Sequence, residues 1–158
     1  LEAIDLEKIK EDVADMWVLE YLPRRLVNYD TPAHREFRKK CSVDENGREI
    51  GNPDRTIAGS HYWSNWASVN VIKKAIEATG WKSKDDNPKL IEHIEKFEGK
   101  EGLDFPVGDI KFRAGDHQGF HQHHMSQIDK NGVIGVKWKI AREETMYPLE
   151  VDYSKEPF

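Results

Sequence analysis

Leu6, Ile9, Val13 and Met16 recur at spacings of three, four and three, with Glu7, Lys8, Lys10, Glu11 and Asp12 between them. That is the period of an amphipathic helix. The run from Met16 to Leu22 is rich in β-formers and is stopped by Pro23, which predicts a short buried strand followed by a connection from Arg24 to Asp30. Thr31 and Pro32 form a start signal for a short, charged helix over Pro32–Lys40, with Thr31 as cap and proline at the first position. Between Cys41 and Ile57 two turn-prone tetrads, Asp44-Glu45-Asn46-Gly47 and Gly51-Asn52-Pro53-Asp54, predict a surface insertion without core.

The strongest helical pattern follows. Tyr62, Trp66, Val69, Ile72 and Ile76 step by four, three, three and four along one face, and Gly80 ends it. Trp63, Ala67 and Ala75 widen the stripe while Lys73, Lys74 and Glu77 mark the wet side, so this helix is expected to pack on a sheet. A further helix has Asp86 or Asn87 as cap, Pro88 at its first position, and Leu90, Ile91, Ile94 and Phe97 at helical spacing until Gly99. The period then changes to two. Ile110, Phe112 and Ala114 alternate with Lys111 and Arg113, and Val136, Trp138 and Ile140 alternate with Lys137 and Lys139, which predicts half-buried strands. Asn131-Gly132 between Ile128 and Val133 marks a hairpin. The tail over 141–158 shows no periodicity.

Composition narrows the class. The 158 residues suffice for one ordinary domain of about 100–200 residues or a piece of one, and the whole chain reads as a single partial unit. Five Trp, five Tyr and six Phe give a fold the aromatic area that disordered chains lack, although the mean hydropathy is −0.79. Lys and Arg number 24 against 29 Asp and Glu, a net charge of −5, so nucleic acid is not an expected partner. No apolar stretch approaches the roughly 18–20 residues that span a bilayer. A lone cysteine, Cys41, excludes an intramolecular disulfide and any Cys-x-x-Cys pair. The chain opens Leu1-Glu2-Ala3 without an initiator methionine, and an upstream part is expected to be missing.

The visible chemistry is concentrated in Asp116-His117-Gln118-Gly119-Phe120-His121-Gln122-His123-His124, which holds four of the seven histidines. Imidazoles this dense invite a metal reading, that of a metal-dependent enzyme centred on His117, His121 and His123 with Asp116 as ligand or base. Against it, no helical His-Glu-x-x-His motif is present, and on a strand His121 and His123 could converge while His124 would point away. The structural reading of these histidines is the heavier one, so no metal site is expected. No Gly-x-Ser-x-Gly, no Gly-x-Gly-x-x-Gly and no phosphate-cradling loop occurs, so neither a serine nucleophile nor a nucleotide cofactor is expected. Tyr62, Trp63 and Trp66 could stack a flat ligand, but aromatics at helical spacing are more often core. Asp15, at the helix-to-strand junction, is the one early acid placed where an α/β protein presents side chains to a cleft beyond its strands, and the plainer reading is a solvated last-turn residue.

Two segments carry a resemblance. Ala75-Ile76-Glu77-Ala78-Thr79-Gly80 and Phe112-Arg113-Ala114-Gly115-Asp116-His117-Gln118, in this order among these elements, resemble the C-terminal portion of branched-chain amino-acid-type solute-binding proteins of ABC importers, from about Val13 to Ile140. The resemblance implies an incomplete α/β fold, the three-layer type 1 periplasmic binding fold, whose two lobes close on a small polar solute such as an amino acid or amide. It places Asp116-His117-Gln118 in a structural turn after a strand and puts Asp15 near a ligand-binding acid of the second lobe. It implies no enzyme activity, a membrane permease as partner, and a periplasmic setting; a sensory domain of the same fold is the alternative. With most of one lobe absent, it also implies uncovered apolar faces, met by the missing N-terminal part or by self-association.

Overall fold

The computed structural model describes residues 6–20, 30–57, 59–152 and 155. The expected run of the first strand through Tyr21 and Leu22 to Pro23, the connection from Arg24, and the last stretch of the tail lie outside the described residues. The elements are α1 (Lys10–Val13), β1 (Trp17–Glu20), α2 (Pro32–Lys40), β2 (Arg48–Glu49), β3 (Asn52–Thr56), α3 (Gly59–Thr79), a single 3-10 turn (Lys84–Asp86), α4 (Asn87–Glu95), β4 (Glu98–Gly99), β5 (Ile110–Arg113), β6 (Gln118–His121), β7 (His123–Ile128), β8 (Ile134–Ile140) and α5 (Arg142–Thr145).

The start of α2 follows its cap. The Thr31 hydroxyl accepts from the His34 backbone N–H at 3.2 Å, and α2 spans the residues its sequence predicts. Ahead of α4, Ser83 and Asp86 form a reciprocal capping box around the 3-10 turn, with Asp86 accepting from Lys82 and Ser83 N–H. Asp86 thus serves the preceding turn, and α4 itself starts without a side-chain cap. The expected first helix is reduced to one turn. Leu6, Ile9 and Val13 do point inward, while Met16 lies outside the stripe and is exposed.

Two cores result. The larger joins Phe37 of α2, Trp63, Ala67 and Val71 of α3, then Phe97, Phe105 and Val107. The smaller gathers Leu6, Val13, Ile128 and Ile134 beneath the hairpin. That hairpin, β7 to β8, forms as its Asn-Gly pair predicts. Asp129 Oδ1 accepts from Asn131 and Val133 N–H, and Gly132 takes the left-handed φ of 77°. A Cβ at Gly132 would lie 2.4 Å from the Leu6 carbonyl oxygen, so glycine is needed twice over there.

The strands pair antiparallel in three sheets, ordered β1-β7-β8, β2-β3 and β4-β5-β6. In the first, the period-2 reading of β8 fails for a local reason. Ser126 faces Val136 while Met125 faces Trp138, so Lys137 is an extra, bulged residue. The bulge turns Val136 into the core and Trp138 outward, although the sequence puts them on one face. β1 is likewise not the buried strand expected: Trp17 and Leu19 share the outer face with Trp138 and are each about half exposed, at 50%, 52% and 51%. The Cys41–Ile57 insertion is not a plain loop. It folds into the β2-β3 ribbon, largely exposed, and ends on the buried Ile57.

The irregular tail is anchored. Arg113 Nη1 donates to the Tyr147 carbonyl at 2.6 Å, its guanidinium lies over the Phe120 and Tyr147 rings, and Leu149 packs where a Cβ on Gly115 would sit. Among the described residues no helix is long and apolar enough to cross a membrane.

Candidate functional site

Helix α3 is apolar on two stripes, and the structure uses the narrower one for the core. Trp63, Ala67, Val71 and Ala75, each four residues after the last, are buried. The large residues that the sequence reading assigns to the core face are turned away: Tyr62, Val69 and Ile72 are exposed, Val69 by 64%, and Trp66 is half-buried. The physical reason is size. Two alanines in the inner stripe let the helix lie close against Phe37, Phe97 and Phe105, which a row of Tyr, Val and Ile side chains would prevent.

The outward stripe forms one wall of an apolar groove of about 610 Å³, lined by Cys41, Tyr62, Asn65, Trp66, Val69 and Asn70 among others. Its floor is fixed. Trp66 donates its indole N–H to the Leu103 carbonyl at 2.8 Å and meets Phe37 edge-on at 5.6 Å. The Asn65 and Asn70 amides donate to the carbonyls of His61 and Trp66, one turn back along α3. Burial pushes the Cys41 thiol up from its ordinary value, so it stays protonated and is a poor nucleophile. The groove can hold apolar matter with a few polar contacts; it carries no activated nucleophile. Val69, Asn65, Asn70 and Cys41 were not legible as site residues. The signal that could have found them is that α3 carries more apolar positions than one core-facing stripe needs.

The histidine-rich segment divides among three environments. Asp116 is clamped by Arg113, whose guanidinium donates to both carboxylate oxygens and holds the carboxyl below its usual range. Asp116 and His117 occupy the turn between β5 and β6, as the resemblance implies, while Gln118 already opens β6. His117 Nδ1 lies 3.3 Å from Glu95 Oε1 on α4. His121 and His123 converge, their rings 4.7 Å apart, and His121 also packs on Trp63 at 4.6 Å. His124 points to the buried side, with Gln122 Nε2 at 3.1 Å from its Nε2. Burial lowers His121 to about 4, and burial together with the Arg38 charge lowers the fully buried His34 of α2 to about 3. Among the described residues no three His, Cys, Asp or Glu side chains come together to hold a metal ion.

Asp15 stands at the α1-to-β1 junction, exposed, with a left-handed φ of 63° and its backbone N–H donating to the Ile128 carbonyl at 2.9 Å. It lines neither the α3 groove nor the smaller cavity beside α4 described below.

No family model and no curated protein matches the chain. Among solved structures, an amino acid ABC transporter substrate-binding protein from Pseudomonas fluorescens Pf-5 is similar in backbone, with a TM-score of 0.56 at 18% sequence identity. The similarity covers 90% of this chain and 34% of that one, so this chain spans about a third of the other's length. As expected, the fold is one of mixed helices and sheets, and its backbone follows about a third of that binding protein; its strands lie antiparallel in three small sheets.

Proposed function

We propose that this chain is the C-terminal part of the substrate-binding component of an ABC importer, whose complete form takes a small polar solute, such as a branched-chain amino acid or an amide, by closure of two lobes. One observation carries the reading: nine-tenths of the chain follows the backbone of an amino acid ABC transporter substrate-binding protein while matching only a third of it. The α3 groove and the open Trp17–Leu19–Trp138 face support this reading as apolar surfaces left uncovered. Such a component works outside the cytoplasm and delivers to a membrane permease. Asp15, on an exposed junction, is the acid of this chain that would meet an ammonium group of the solute.

The test is made on the whole gene product that carries this chain. Isothermal titration with leucine, isoleucine, valine and glutamine should give saturable one-to-one binding of at least one of them, weakened about tenfold or more in Asp15→Asn, as loss of a charged hydrogen bond predicts. Binding unchanged in the variant removes Asp15 from the site. A well-folded protein that binds none of the four overturns the amino-acid reading.

A further inference from the structure

A second cavity, of about 200 Å³, opens between α4 and β5 and is lined by Ile91, Ile94, Glu95, Phe112 and His117. Ile91, Ile94 and Glu95 fall on one face of α4, three and four residues apart. Phe112 comes from β5, and His117 reaches in from the turn that follows it. The walls are therefore two isoleucines and a phenyl ring, with a single polar pair at the rim.

That pair is placed by several features at once. His117 adopts a left-handed backbone φ of 55°, which a non-glycine residue takes only where its surroundings hold it there. The side chain then sets Nδ1 at 3.3 Å from Glu95 Oε1, and Glu95 is itself largely covered, with 23% of its side chain exposed. Asp116, the adjacent acid, is held by Arg113 and does not compete for the imidazole. In the neutral ring, a proton on Nδ1, toward the Glu95 carboxylate, leaves Nε2 as the acceptor. An apolar cavity of about 150 Å³ lined by Leu, Ile and Phe is enough to take up benzene, so a space somewhat larger suits one six-membered ring or a branched group of similar bulk.

We propose that this cavity is a binding site for a compact apolar molecule bearing one hydroxyl donor, of the size of phenol. The ring lies between Ile91, Ile94 and Phe112, and the hydroxyl donates to His117 Nε2. The site is separate from the α3 groove and from Asp15, and it stands or falls independently of the solute-binding reading.

Phenol and anisole are the probes, because anisole keeps the ring and oxygen and lacks the donor. Each is titrated into the ¹⁵N-labelled chain and followed by amide shifts. Phenol should move Ile91, Ile94, Glu95, Phe112 and His117 saturably and bind about three- to tenfold more tightly than anisole, the range expected of one neutral hydrogen bond. His117→Asn, which tolerates the left-handed backbone but is too short to reach, should abolish that preference and leave anisole unchanged. Ile91→Trp fills the mouth from an exposed position and should remove both probes; it decides the matter if the His117 variant fails to fold. Equal affinity for phenol and anisole in the parent chain overturns the proposal, as do shifts centred on Tyr62 and Val69, or full binding by Ile91→Trp.

Discussion

Trp63 on α3 and the Trp17–Trp138 pair on the β1-β7-β8 sheet have opposite fates in one small chain. Trp63 is 7% exposed, enclosed by the α2 and α3 core and packed against His121 with tilted rings. Trp17 and Trp138 meet each other at 5.0 Å with tilted rings, and each keeps half its surface in solvent. The residue type is the same, and so is its intrinsic gain on burial. The difference lies in the second layer. Helices α2 and α3 and the segment after α4 bring Phe37, Val71 and Phe97 around the first region, whereas the outer face of the β1-β7-β8 sheet leaves Trp17, Leu19 and Trp138 half open. Aromatic content in this sequence therefore measures how much surface needs a partner, not how much has one.

Substitution of the two regions should separate them most clearly at Trp63. Trp63→Ala is expected to cost about 3–5 kcal/mol, as for a large side chain deleted from a packed core, measured by urea unfolding of the chain. Trp63→Phe should cost far less. It keeps most of the ring and removes a buried indole N–H that has no hydrogen-bond partner among the described residues. If Trp63→Ala unfolds at the parent's midpoint, the α3 core is not formed as described.

Acid should act on the enclosed region first, through its histidines. His34 at about 3 and His121 at about 4 both lie below the ordinary 6.5, because burial disfavours the imidazolium. The unfolded chain then binds more protons than the folded one at any pH between those values. Stability from these groups is full above about pH 6.5 and is lost as the pH falls toward their folded values, at up to about 1.4 kcal/mol per unit per group. The sum between pH 6.5 and 5 is on the order of 2–3 kcal/mol. The carboxylates held low, Asp116 by Arg113 among them, add their own loss only below about pH 4. Thermal melts across this range should show the decline, and His121→Phe should flatten it by about half. A melting temperature constant from pH 7 to 5 would mean that these rings are solvated.

Trp66 lies between the two extremes. It is half-buried, fixed by its bond to the Leu103 carbonyl, and forms the groove floor. Trp66→Ala should cost about 2 kcal/mol, less than at Trp63, since only part of the ring is sealed. Val69→Ser, one turn along the same stripe and exposed, should stay within about 0.5 kcal/mol. A large loss at Val69 would mean that the outward stripe is sealed in solution.

How much of this was legible follows from which forces act locally. The Thr31 cap, the Asn131-Gly132 hairpin and the proline at the start of α4 depend on neighbours within a few residues, and the sequence announces them. The choice between the two apolar stripes of α3 depends on Phe37, Phe97 and Phe105, which are distant in sequence, and the larger residues misled the reading. The Lys137 bulge was invisible because period-2 counting assumes an unbroken ladder. The convergence of His121 and His123 was readable from alternation, even though the β6-to-β7 step intervenes. The Glu95–His117 contact was not readable, since it joins an α4 side chain to a turn more than twenty residues later.

The smallest expected effect on stability is at the open sheet face, and it sharpens the contrast with Trp63 by where it appears. Trp138→Thr retains β propensity and loses a ring that touches Trp17 while half in water, so the folded chain should lose no more than about 1 kcal/mol, the scale of one aromatic pair. Its larger consequence should be intermolecular. Trp17, Leu19 and Trp138 share one exposed face of the sheet, the kind of apolar surface that draws chains together when it is left open. Sedimentation velocity over a concentration series should show the parent chain associating at lower concentration than Trp138→Thr, with the two nearly equal in urea midpoint. The same association in both would place the contact elsewhere, on the α3 groove, and a double variant with Val69→Ser would locate it there.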